Sequence, residues 1–176
     1  MPVQITRRRL LATTALVPLA ACGGGVTPNP NPTPGPSGDL SVLIGEVSDL
    51  AAGLVDRLFP LLGTLAGLST ETAAKIREWA ETIQALAGQV AGVLSVDGAK
   101  PLVQQIGPIA LQIVGALAGV PGMPFEVSLL LSAVSVLVPV IMKMVGLSLP
   151  RAMPRFAGYR EMTPDQARMV LRTGRL

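Results

Sequence analysis

The residue with the most distinctive chemistry in this chain is its only cysteine, Cys22, and what the sequence lacks bounds what that cysteine can do. There is no histidine. A Ser-His or Cys-His nucleophile pair is therefore ruled out, as is a His/Cys metal cluster, and a single cysteine closes no disulfide within the chain. No Gly-rich phosphate loop follows a strand pattern. Carboxylate-only or Ser-Lys chemistry is what remains, and the groups that would perform it are scattered. Glu71 with Lys75, and Arg77 with Glu81, are i,i+4 pairs that mark a solvated helix face. The expectation is no catalytic residue, no metal, no cofactor and no enzymatic activity. Cys22 is then either a free thiol or a modified one, and its neighbours decide which.

Upstream stand Arg7, Arg8 and Arg9, then an apolar run from Leu10 to Leu19, then Ala20 and Ala21 directly before Cys22. A positive segment, a short apolar run and small residues is the order of a secretory signal, and the run is too short to be a stable bilayer-spanning helix. The string Leu19-Ala20-Ala21-Cys22 resembles the lipobox of bacterial lipoprotein signal peptides. That resemblance implies cleavage between Ala21 and Cys22, a diacylglyceryl group on the cysteine sulfur, and membrane lipid as the first partner. Thr6-Arg7-Arg8-Arg9-Leu10-Leu11 resembles the twin-arginine export motif, with Leu10 where Phe is usual and Ala12 where Lys is common. An ordinary positive segment for general secretion is the other reading of Arg7 and Arg8, and the route stays open between the two. Gly23, rather than an Asp that would resemble an inner-membrane retention signal, favours the outer membrane in a host that has one.

The net charge of +3 misleads about partners. Residues 1 to 21 carry three arginines and no acid, residues 22 to 147 carry five basic and nine acidic groups, and residues 148 to 176 carry six arginines and two acids. From Cys22 onward the charges cancel, so a nucleic-acid partner loses its electrostatic support. Behind Gly23-Gly24-Gly25, prolines recur at every second position from Pro28 to Pro36. Each fixes its own φ and keeps its predecessor out of the helical region, which predicts an extended stalk. At about 3.1 Å per residue it reaches roughly 35 to 45 Å.

Helical spacing begins at Asp39. Leu40, Leu43, Val47, Leu50, Leu54 and Leu58 predict a helix over 39–59 ended by Pro60, with Glu46, Asp49 and Asp56 among the outward positions. A Gly-containing connector follows over 61–68. Ser69 and Thr70 open a second helix carrying Ile76, Trp79, Ile83, Leu86, Val90 and Val93, in which Trp79 is a core residue. A turn at Asp97-Gly98 and Pro101 in a first helical turn place a third helix through Leu117, kinked at Pro108, with Gln104, Gln105 and Gln112 on its polar side. The fourth, Phe125 to Leu147, has no charge from Val127 to Met142 and only Ser128, Ser132 and Ser135 as a polar stripe. Three GxxxG spacings, Gly63/Gly67, Gly88/Gly92 and Gly115/Gly119, suggest close helix packing. Thr163-Pro164-Asp165-Gln166 has the form of a capping box opening a short helix to about Arg172. The arginines of this basic end are expected in solvent, with anionic lipid or cell-wall polymer as alternative contacts.

The predicted architecture is all-α. A signal peptide (1–21) and a lipid-anchored linker (22–38) precede a bundle of about four helices (39–147) and a basic tail with a short helix (148–176). The predicted role is a periplasm-facing structural or interaction module of the cell envelope, partnered by an envelope protein or the cell wall. The rival is an inner-membrane protein in which residues 127–149 cross the bilayer once, with a membrane-permeabilising role; six arginines beyond that span fit the positive-inside tendency.

Overall fold

The computed structural model describes residues 37–149 and 156–176. They form an all-α bundle: α1 (Ser37–Ala52), a π-helical turn (Gly53–Leu58), α2 (Phe59–Leu62), α3 (Thr70–Ala91), α4 (Val96–Ala118), α5 (Phe125–Met144) and α6 (Pro164–Thr173), with no strand among the described residues. The signal, the cysteine and the proline stalk lie outside the described residues.

The first rod runs longer than the hydrophobic spacing predicts. Proline 60 lacks the N–H that would bond back along the helix, and its ring crowds the preceding turn. A π turn directly before it absorbs the mismatch. Ala52, Leu58 and Phe59 all keep right-handed helical φ/ψ, so α1, the π turn and α2 form one rod ending at Leu62. Leu43, Val47, Leu50, Leu54, Leu58 and Leu62 are buried along it.

Short links fold the next helices against each other. Ser69 caps α3 by accepting the Thr72 N–H at 3.1 Å, and Ser95 caps α4 by accepting that of Gly98 at 3.1 Å. The second cap starts α4 at Val96, ahead of Pro101, so both Pro101 and Pro108 lie inside the helix. Both are exposed, as are Gln104, Gln105 and Gln112, so water can reach the carbonyls that the prolines leave unbonded. Trp79 is half-buried against the core rather than within it.

Helix α5 is the centre. Every residue from Val127 to Ser135 is buried, which requires neighbours on all sides, and α1, α4 and α6 supply them. Both α4 and α5 are long and apolar enough to cross a membrane, by length and composition alone.

Close helix approach occurs at sites other than the GxxxG spacings. A Cβ added at Gly63, Gly88, Gly115 or Gly119 would meet nothing within 4 Å. At Gly53 it would lie 2.5 Å from Leu171 Cδ2 and 3.0 Å from Leu171 Cβ, because α6 rests on the π turn there. In a chain rich in Ala and Gly the spacing arises without packing. The two glycines should therefore respond in opposite directions to Ala. Gly88→Ala is expected to raise stability by about 0.5–1 kcal/mol through helix propensity. Gly53→Ala is expected to lower it by about 1–3 kcal/mol through overpacking against Leu171. Urea unfolding of each variant measures both, and equal signs would contradict the packing described.

Candidate functional site

Of the residues singled out in the sequence, Arg7, Arg8, Leu19, Ala20, Ala21 and Cys22 lie outside the described residues. Within them, the densest polar constellation is a seam between α6 and the first rod, and it starts from α6's own ends. Thr163 Oγ1 accepts the Gln166 N–H at 3.3 Å while Gln166 Oε1 accepts the Thr163 N–H at 2.8 Å, the reciprocal capping box expected of this string. Pro164 fits the first turn, and Gly174 closes the helix at φ 74°, a conformation that side chains bearing a Cβ resist. At ten residues α6 is too short to persist alone, so its helicity depends on docking.

Ala167, Val170 and Leu171 are the buried residues of that docking. Charge supplies the rest. Arg168 Nε donates to Glu46 Oε1 and its Nη1 to Asp165 Oδ1. Arg172 Nε donates to both oxygens of Asp49 at 2.9 Å, with Nη2 2.7 Å from Oδ2, a fork matched to a carboxylate. Its hydrogen bond to Asp49, and then the Asp49 charge, hold the Arg172 guanidinium above its ordinary pKa. Farther along the rod, Arg57 donates to the carbonyls of Arg172 at 2.5 Å and Thr173 at 3.2 Å, setting a cation at the negative end of α6. The partners ascend both elements together, so α6 runs parallel to α1.

Glu46 is the exceptional member. Its side chain is only 3 % exposed, and Oε2 is buried with no hydrogen-bond partner. Reading Glu46 as outward is thus corrected: it sits three residues after Leu43 and one before Val47, within the apolar register. The solvent-facing reading of the tail arginines is corrected with it for Arg168, whereas Arg172 stays exposed to solvent while it pairs with Asp49. A signal for the seam existed. An acid in a core register implies a cation from elsewhere, and Arg168 and Arg172, one turn apart, match the spacing of Glu46 and Asp49.

The serine stripe of α5 faces the segment leading into α6. Ser132 Oγ donates to the Ser128 carbonyl at 2.7 Å and accepts the Arg160 N–H at 3.0 Å, and Ser135 Oγ donates to the Leu131 carbonyl at 2.8 Å. Phe156 and Tyr159 meet edge to face at 5.7 Å, and the Arg160 guanidinium lies 4.6 Å over the Phe125 ring. Of these hydroxyls, Ser132 ties the helix to the connector. Glu71 and Lys75 pair at 2.8 Å on the exposed side of α3; their hydrogen bond, then their charges, lower the one pKa and raise the other. The described residues contain no cluster of three or more Asp, Glu, Cys or His that could hold a metal. Chemically, the seam is a charge-paired joint.

No family model, no curated protein and no solved structure matches the chain.

Proposed function

We propose that the chain is an exported lipoprotein, anchored to the cell envelope through acylated Cys22, whose helical bundle acts as a structural or interaction module and not as an enzyme. The observation that carries this reading is Leu19-Ala20-Ala21-Cys22, placed directly behind an apolar run and three arginines. The proline-rich linker behind the cysteine then has a simple purpose: it holds a folded module off the bilayer that the acyl chains enter. The outer membrane is favoured where the host has one, with the bundle facing the periplasm and an envelope protein or the cell wall as its partner.

The test is metabolic labelling with a clickable fatty acid. Wild-type chain is expected to take up label and Cys22→Ala to take up none, with the variant leaving the membrane fraction. Equal label on both would refute acylation at this residue.

The apolar length of α5 favours the rival, a single crossing near 127–149 with a permeabilising role. Three contacts weigh against it. Arg160 bonds Ser132, and Arg168 and Arg172 bond Glu46 and Asp49, so the chain beyond α5 joins elements that a single crossing would leave on the opposite side. A hairpin using α4 as well would return the arginines to the exported side, against the positive-inside tendency.

A further inference from the structure

The seam between α6 and α1 is built from groups that water and other anions can compete for. Helix α6 packs its three buried apolar residues into a core shared with α5, and it is held to the first rod by Arg168 on Glu46, Arg172 on Asp49 and Arg57 on its final carbonyls. A buried ion pair is a weak source of stability compared with an apolar contact of the same size, and this one leaves Glu46 Oε2 buried without a partner. Undocking would hydrate that oxygen. The charged contact with α1 is thus the part of the α6 docking whose loss hydration can offset.

The helix it releases has a recognisable physical character. Ala167, Val170 and Leu171 form one face and half-exposed Met169 adjoins them, while Arg168 and Arg172 outnumber the single acid Asp165 on the remainder, with Arg175 just past the Gly174 cap. Basic amphipathic helices of low overall hydrophobicity lie in the interface of anionic bilayers, their arginines bonding lipid phosphate with the geometry they use on carboxylate. The charge layout fits that exchange. Residues 22 to 147 carry nine acids against five bases, and residues 148 to 176 carry six arginines against two acids. Within the molecule, Glu46 and Asp49 of α1 hold the two α6 arginines as anionic lipid would.

We infer that α6 is a releasable membrane-surface helix, which trades Glu46 and Asp49 for the phosphates of anionic lipid when the bundle meets the bilayer. This rests on the anchored reading of Cys22, because the tether is what keeps lipid at high effective concentration beside α6. The fifteen residues from Cys22 to Pro36 would reach about 46 Å as an extended stalk, at about 3.1 Å each. Anionic lipid in that bilayer would therefore lie within the reach of the tether. Salt screens the exchange, since both sets of contacts are charge-assisted.

The test uses the acylated chain in vesicles, with spin labels at Ser48 on α1 and Met169 on α6. Flotation with phosphatidylcholine vesicles reports the anchor by itself, so a chain that fails to float indicts the anchored reading and not the strap. In floating chains the distance between labels is expected to be short in phosphatidylcholine, and to lengthen and broaden as phosphatidylglycerol is added. E46Q/D49N is expected to reach its midpoint at about tenfold less anionic lipid, having lost both charged acceptors of the seam. E46M/R168M, which keeps a packed seam while removing its buried charge pair, is expected to stay short over the range in which the wild type opens. A wild-type distance unmoved by phosphatidylglycerol would overturn the proposal. So would an E46M/R168M response equal to the wild type, or lengthening by soluble polyphosphate with none by anionic vesicles.

Discussion

Replacing Arg168 by Ala is expected to lower the free energy of unfolding by about 3 kcal/mol, the lower end of the range for removing one partner of a buried ion pair. The reason lies with the partner left behind. Glu46 is 3 % exposed, so its carboxylate stays desolvated while losing its charged donor, and Oε2 already has none. Arg168 is itself 28 % exposed, which lets water replace part of it and sets the effect at the lower end. Substituting both partners should behave quite differently. E46M/R168M removes the buried charge together with its partner and fills the space with apolar side chains, so most of the loss is expected to be recovered. Urea unfolding followed by circular dichroism measures all three proteins. Where release of α6 precedes the main transition, hydrogen exchange at residues 164–173 shows it as a local opening. A double variant as unstable as Arg168→Ala would contradict the claim that desolvated charge, rather than lost packing, dominates the effect.

The second large effect concerns which side of the membrane holds the C-terminus. A β-lactamase domain fused after Leu176 is expected to make cells ampicillin-resistant, because a bundle tethered only at Cys22 leaves the whole mature chain on the exported side. This reporter works whether export follows the twin-arginine or the general route. The physical argument rests on the seam. Arg168 and Arg172 bond α1, and Arg160 bonds α5 near its start, so a crossing by α5 would have to abandon each of these contacts and strand Glu46 without its cation. Resistance would eliminate the single-span arrangement. Sensitivity, with the fusion intact and full length, would instead favour a transmembrane α5 and the permeabilising role that goes with it.

Much of the fold was legible because local signals and packing agree. The capping box at Thr163 and Gln166 forms as the residue types require, and Gly174 ends the helix in the left-handed region. The uncharged stretch of α5 fits either a central bundle helix or a membrane segment, and among the described residues α1, α4 and α6 surround it. Other features were illegible for identifiable reasons. Pro60 reads as a helix stop, yet a π turn lets the rod continue, and π turns have no composition of their own. Pro101 reads as a helix start, yet the Ser95 cap lies earlier and the proline faces water, where an unbonded carbonyl is tolerated. The glycine spacings misled because small-residue repeats arise by composition, whereas Gly53, where an added Cβ would come within 2.5 Å of Leu171, stands outside any repeat. The seam was missed because residues 46 and 168 are distant in sequence. Only the misfit of an acid in the apolar register at Glu46 pointed toward it.

The central claim, an exported chain held by acylated Cys22, is tested most directly by the intact mass and N-terminal peptide of the protein recovered from host membranes. The expected chain begins at Cys22 and carries a diacylglyceryl mass on that residue, with no peptide from residues 1–21. A chain that retains Met1–Ala21, or one that begins at Cys22 with an unmodified thiol, would contradict it.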